Sequence, residues 1–183
     1  MDDTSLNYIK LHPHNMRALL IQECLRWNGI QEEGGNNKGQ FIEIVQRAVS
    51  LSPGDPYCAA FIIYCLDRVK AQALALDMYA PVSKIHRTGH VLTMWNNTPT
   101  ANRVNAFDVV PGDLVLWRKA GTDSGHVGIV LSINGAKGIF TSFEGNTGPG
   151  PDVVREGDGF FIKNRLIAGY GSMEVLGFLR PWV

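Results

Sequence analysis

The hydrophobic pattern of the chain changes at the sequence VPGD, residues 110–113, and this change constrains the fold more than any other feature. Before it, apolar residues recur at helical spacing in 15–28, 40–50 and 59–76, and a short helix is expected at 90–96. After it, runs rich in β-branched and aromatic residues alternate with turn sequences, as strands do. Helices followed by strands predict an α+β domain.

The second half of the chain predicts an antiparallel meander packed against the helices. The expected strands are 113–119, 126–133, 138–144 and 174–181, with a fifth near 159–164. The segment 59–76 is apolar nearly all round, which is typical of a buried central helix. With 183 residues, we expect one domain over 1–183, with 1–14 as an N-terminal extension.

Charge and hydropathy exclude several kinds of partner. The 17 Lys and Arg residues balance 17 Asp and Glu residues, so nothing favours binding to a nucleic-acid backbone. The apolar runs are too short and interrupted to span a bilayer, so no membrane partner is expected. The N-terminal sequence MDDTSLNYIK has no apolar core, so no signal peptide is visible. Three explanations stay open: the protein works inside the cell, it is exported without a cleavable signal, or the sequence was trimmed. We expect a monomer.

One cysteine occupies a reactive kind of position. Asp55 is predicted as the N-cap of the central helix and Pro56 as its first residue, which places Cys58 in the first turn. The helix dipole favours a negative charge there, so a thiolate is stabilised. Cys65 lies in the apolar run of the central helix and is predicted as a core residue, and Cys24 likewise. On one helix Cys58 and Cys65 would lie roughly 10 Å apart, too far for a disulfide, so all three are predicted as thiols.

The strands around NGAKG are predicted to form a hairpin with Gly135 near the centre of the turn. Symmetrical pairing about Gly135 places His126 opposite Glu144 and Ser124 opposite Asn146. A bulge would shift this register by one residue.

The same pairing predicts a polar face on the sheet. His126, Ser142, Glu144 and Asn146 point the same way, and Gly128 leaves room beside the histidine. An imidazole beside a carboxylate and a carboxamide is the base and orienting group of a nucleophilic site, for which Cys58 is the candidate nucleophile.

Four short motifs, GDPYCAAF, PGDLVLW, SGHVGIV and FEGNT, resemble in sequence and order those of the CHAP family, the cysteine, histidine-dependent amidohydrolases/peptidases. The resemblance extends from about Gly34 to the C-terminus and implies a papain-like fold. It implies that Cys58 is the nucleophile and His126 the general base. Of Glu144 and Asn146, one would orient the imidazole and the other would assist at the pocket. The predicted cross-strand pairing favours Glu144 as the orienting residue.

The chain departs from the family pattern at two points. Tyr57 stands where the family often has Trp before the cysteine, and only Asp55 is near the place where some phage members carry an acidic calcium loop. We therefore expect no metal and no cofactor. His86 and His90 have a spacing that can bind metal on a helix, but Gly89 weakens such a helix and no third ligand is evident.

The glycine-rich segment 31–39 lacks the Lys-Ser/Thr ending of a phosphate-binding loop. It is predicted as a loop that caps the second helix and borders the substrate groove.

The resemblance implies cleavage of amide bonds in bacterial peptidoglycan. The enzyme could be a bacteriolytic phage lysin, a secreted effector with an immunity partner, or a wall-remodelling enzyme, acting on the cell wall. Two alternatives stay open: a protein deamidase or transglutaminase-like enzyme on a papain-like scaffold, and a catalytically silent wall-binding module.

Overall fold

The structure, a computed structural model, describes residues 15–150, 157–169 and 171–183. The predicted N-terminal extension, residues 1–14, lies outside them. The described part forms four α-helices, which in chain order are α1 (Met16–Leu25), α2 (Gln40–Arg47), α3 (Cys58–Ala75) and α4 (Val91–Asn97). None of the helices in this part of the chain is long and apolar enough to cross a membrane.

In the described part of the chain, six strands form one antiparallel sheet after the helices. They are β1 (Arg103–Val104), β2 (Leu114–Lys119), β3 (Gly125–Asn134), β4 (Ile139–Thr147), β5 (Gly159–Leu166) and β6 (Met173–Leu179). Strands β2 to β5 are neighbours in sequence and in space, and β6 returns to pair with β2, which gives the order β1-β6-β2-β3-β4-β5. The α+β fold predicted from the sequence is confirmed.

The central helix α3 lies against one face of this sheet. Ala59 and Ala60 are fully buried in the cluster that joins the helices to the sheet. Val127, Ile129 and Leu131 of β3 belong to the same cluster, as the two-residue period predicted. Small side chains on the helix and branched ones on the strand therefore fix the position of α3 over β3.

The opposite face of the sheet carries a second, smaller cluster. Its buried members are Val109, Val115, Trp117, Val130, Phe140 and Phe178. This face also carries His126, because His126 is paired directly with Trp117 of β2.

The predicted start of the central helix was wrong. The helix begins at Cys58 with Tyr57 as its N-cap, and no side chain caps it. The Asp55 carboxylate instead accepts the Ser52 N–H at 2.8 Å and closes the turn that leads into the helix. Cys58 is thus the first helical residue, where the backbone N–H groups have no acceptor within the helix.

The predicted pairing of β3 with β4 was also wrong in register. Gly128, and not His126, lies opposite Glu144, and Ser124 precedes β3. The turn is a 3₁₀ segment, Gly135–Lys137, and an irregularity between Val130 and Ser132 shifts the pairing again. Next to the turn, the pairing would place His126 and Glu144 on opposite faces of the sheet. Beyond the irregularity, the pairing shifts by one more residue and returns them to the same face. His126 and Glu144 therefore keep the shared face that the sequence predicted.

Gly145 lets α3 and β5 approach β4 closely. A Cβ at this position would lie 2.9 Å from Phe160 and 3.4 Å from Phe61. We expect Gly145→Ala to lower the free energy of unfolding by about 1 to 3 kcal/mol, the usual cost of overpacking a core. Gly135→Ala is the matched control, because a Cβ there meets nothing within 4 Å. Urea unfolding measures both, and equal stabilities for the two variants would contradict this packing.

Candidate active site

The Cys58 side chain lies in a groove with a volume of about 530 Å³. The walls come from segments 49–56, 87–91 and 123–126, and Asn146 completes the lining. Cys58 retains 6% of its exposure and His126 retains 3%. Both residues line the groove, so the thiol and the imidazole can be reached from solvent.

His126 connects the thiol to a buried carboxylate. Its Nε2 lies 2.9 Å from Oε2 of Glu144, and its ring also forms a side-chain hydrogen bond with Cys58. Since Nε2 is occupied by Glu144, Nδ1 is the nitrogen left for Cys58. The three side chains form one row, with the sulfur at the groove and the carboxylate behind the ring.

The environment of His126 favours its protonated form. Burial opposes the charge, but the hydrogen bonds to Cys58 and Glu144 and their negative charges outweigh it and raise the pKa of His126 to about 9. A positively charged ring beside the sulfur attracts a thiolate.

Glu144 is fully buried and accepts four hydrogen bonds. Ser142 Oγ donates to Oε1 at 2.6 Å, and Arg165 donates from Nε to Oε1 at 2.8 Å and from Nη2 to Oε2 at 2.6 Å. The fourth donor is His126. Burial raises the pKa of the Glu144 carboxyl, but Arg165 and His126 more than reverse this and lower it to about 2. Glu144 is therefore a carboxylate over the whole physiological pH range.

Sequence reasoning missed Arg165. The predicted fifth strand ended at 164, one residue before it, whereas β5 extends to Leu166. Lys163 and Arg165 are cations two residues apart, and both are buried. Two buried cations on one face of an apolar strand require acceptors on the neighbouring strand, and this pattern could have indicated the site.

The glycines of SGHVG make room for the groups around His126. A Cβ on Gly128 would lie 2.8 Å from Cγ of Glu144, which confirms that Gly128 leaves room on this face. A Cβ on Gly125 would lie 2.7 Å from the Trp117 carbonyl oxygen and 2.9 Å from Val91. The Trp117 ring lies beside the imidazole, with 5.5 Å between ring centroids.

Asn146 lies at an irregularity in β4. The pairing with β5 shifts between Gly145 and Thr147, and Asn146 has φ 57°, a left-handed conformation that Asn adopts more readily than most residues. Its Oδ1 accepts the Gly157 N–H at 3.4 Å. Bulges turn side chains away from the regular alternation, and Asn146 here lines the groove.

The glycine-rich loop supports the turn that precedes Cys58. Gln46 donates to the carbonyl oxygens of Asn37 and Asp55 at 2.9 and 2.7 Å, so the loop and the turn are joined through α2. Tyr57 Oη donates to Oε1 of Glu32 at 3.1 Å. Burial and the Glu32 charge raise the pKa of Tyr57, which keeps the phenol protonated as a donor. The loop caps α2 as predicted: Gly39, its last residue, is the N-cap and does so without a side-chain bond.

The other two cysteines are inaccessible. Cys24 and Cys65 are fully buried in the main core, as predicted, and burial raises the pKa of both thiols. Their sulfurs are therefore poor nucleophiles at neutral pH.

The two spaced histidines contact groups other than each other. His90 is the N-cap of α4, where its ring accepts the Thr93 N–H, and His86 lies 3.4 Å from the Asn97 amide. Within the residues that the structure describes, no group of three or more His, Cys, Asp or Glu side chains could hold a metal ion.

A model of the CHAP domain family matches residues 51–146, which is just over half of the chain. The chain belongs to the CHAP family. The matched segment of this CHAP domain begins in the turn before Cys58 and ends at Asn146. No curated protein matches the chain.

The predicted family is therefore confirmed. CHAP domains are typically cysteine, histidine-dependent amidohydrolases, and the family is of the peptidoglycan-hydrolase and amidase type that acts on the cell wall. Arg165 lies outside the segment that the family model matches.

The raised pKa of His126 makes the stability of the domain depend on pH. The unfolded chain has the ordinary value of 6.5 and the folded chain about 9, so the stabilisation is complete below pH 6.5. We expect it to be lost as the pH rises through 9. Urea unfolding of the wild type and of His126→Gln between pH 6 and 9.5 measures this, because the difference between the two curves isolates His126. Parallel curves would contradict the raised pKa.

Proposed function

We propose that this CHAP domain is a cysteine-dependent amidase or endopeptidase that cleaves amide bonds in bacterial peptidoglycan. The observation that supports this most directly is the row formed by Cys58, His126 and Glu144, with the sulfur at a groove and the carboxylate behind the ring. Cys58 and His126 line the groove, whereas the Glu144 carboxylate is fully buried.

In the first half of the proposed reaction, the Cys58 thiolate attacks the carbonyl carbon of the scissile amide. The tetrahedral oxyanion accepts a hydrogen bond from the backbone N–H of Cys58, which has no acceptor within the helix at the start of α3. The carboxamide of Asn146 lines the same groove, and its Nδ2 donates to no residue that the structure describes. We assign it the assisting role at the pocket. His126, protonated at Nδ1, gives that proton to the leaving amine as the C–N bond breaks, which leaves a thioester.

In the second half, neutral His126 takes a proton from a water molecule, and the resulting hydroxide attacks the thioester. The C–S bond breaks, the acid product leaves, and the thiolate–imidazolium pair is restored. Glu144 keeps Nε2–H as a donor throughout, so only Nδ1 exchanges protons. Glu144 is thus the orienting residue of this proposal.

The proposed reaction needs groups from one chain alone, which agrees with a monomer and with a single catalytic domain. A bacteriolytic lysin, a secreted effector and a wall-remodelling enzyme would all use this chemistry. A protein deamidase would share the thioester step but release ammonia, and it is therefore an outcome of the test below.

We expect Cys58→Ala to reduce release of soluble muropeptides from purified sacculi to background, a loss on the order of 10³-fold or more. Cys65→Ala is the matched control, because Cys65 belongs to the same helix and is fully buried. It should lower the melting temperature but keep the released products, which mass spectrometry identifies. Digestion by the Cys58→Ala protein would exclude Cys58 as the nucleophile, and ammonia release from glutamine side chains without muropeptides would favour the deamidase.

A thiol probe tests the reactivity of the three cysteines without any substrate. We expect iodoacetamide at pH 7 to modify Cys58 at least tenfold faster than Cys24 or Cys65, since burial keeps those two protonated and inaccessible. Peptide mass spectrometry gives the three rates. Equal rates in the folded protein would support the silent wall-binding module instead.

A further inference from the structure

We infer that Arg165 is a positioning residue that fixes His126 through Glu144 and balances the charge of the buried site. This inference rests on the proposed function, in which Cys58 and His126 react as an ion pair. Arg165 lies on β5, outside the segment matched by the family model, and does not contact the groove.

The geometry of the guanidinium fixes both oxygens of the carboxylate. Nε and Nη2 of Arg165 each donate to a different oxygen of Glu144, at 2.8 and 2.6 Å. The planar fork of an arginine thereby sets the plane of the carboxylate. Oε2 of Glu144 accepts hydrogen bonds both from His126 and from Nη2 of Arg165. The direction of the imidazole thus depends on β5 as well as on β3 and β4.

The formal charges of Cys58, His126, Glu144 and Arg165 can be counted together, and Arg165 supplies one of the two positive ones. In its reactive form the row contains one thiolate, one imidazolium and one carboxylate, which together carry one negative charge. The guanidinium is permanently charged and brings this sum to zero in a buried place. Without it, the cluster would take up its next proton at a higher pH. Whether that proton bound Cys58 or Glu144, the reactive arrangement would be lost.

Few other groups face this carboxylate. His126 reaches it from β3 and Arg165 from β5, while Ser142 of β4 donates a hydroxyl that cannot carry charge. Cys58 and Glu144 both interact with the His126 ring. Lys163 is a second buried cation on β5, but its Nζ donates to the Gly148 carbonyl oxygen at 2.6 Å. Lys163 therefore provides a matched control on the same strand.

The experiment measures the rate of Cys58 alkylation by iodoacetamide from pH 4 to 9 in the wild type, Arg165→Met, Arg165→Lys and Lys163→Met. The wild-type curve is the reference for the three variants. The acid limb is the part of the curve where the alkylation rate falls as the pH is lowered. In Arg165→Met we expect the acid limb to move up by about one pH unit or more, which makes the reaction roughly tenfold slower at pH values on the limb. The plateau rate should also fall, because the imidazole is no longer held.

The two other variants separate charge from geometry. Arg165→Lys keeps the positive charge but loses the fork, so it should restore the acid limb and leave the plateau several-fold low. Lys163→Met should keep the acid limb of the wild type, even where it lowers the melting temperature. An equal shift of the limb in Lys163→Met and Arg165→Met would mean a general loss of structure and would overturn the inference.

A folded Arg165→Met protein with the wild-type limb and plateau would also overturn it. If Arg165→Met does not fold, Arg165→Lys decides, since a wild-type plateau in that variant would exclude the positioning role. Failure of the proposed function looks different: the wild type itself would then alkylate Cys58 no faster than Cys24. Rapid alkylation without digestion of sacculi would reject only the substrate and leave the role of Arg165 to be judged on the rates.

Discussion

A buried carboxylate needs neighbouring groups that balance its charge and donate hydrogen bonds to its oxygens. In this domain the buried carboxylate is Glu144. Its four hydrogen bonds come from His126, Ser142 and Arg165, which belong to three adjacent strands. The carboxylate thereby ties β3, β4 and β5 together and sets the direction of the imidazole. The same contacts that satisfy the buried charge thus fix the His126 ring beside the carboxylate.

The sulfur reaches this row through a separate part of the fold. Cys58 begins α3, and α3 is placed over β3 by buried alanines and branched residues. The turn before it is fixed by Gln46, which joins the turn to the glycine-rich loop. The helical half of the chain therefore positions the proposed nucleophile and the sheet positions the proposed base, and the matched segment, 51–146, contains both.

Much of this arrangement could be predicted from the sequence, because periodicity reports which face a residue occupies. The α+β class, the buried α3 and the shared face of His126 and Glu144 follow from apolar spacing. The register does not, since neither the 3₁₀ turn after Asn134 nor the irregularity near Leu131 has a clear signature. The prediction kept the correct face only because the two deviations together preserve the alternation. Arg165 escaped notice because its partner lies 21 residues away on another strand, and pairing between strands is set by tertiary packing.

The account depends on His126 being an imidazolium that shares its proton with Cys58 while Glu144 holds the other nitrogen. Nuclear magnetic resonance of the His126 ring nitrogens, followed from pH 5 to 10, tests this most directly. We expect a protonated ring at pH 7.5 that titrates near pH 9 in the wild type, and a lower pKa in Cys58→Ala, since the hydrogen bond that the ring donates to the sulfur is then lost. A ring that titrates near the ordinary value of 6.5 in both proteins would contradict the account.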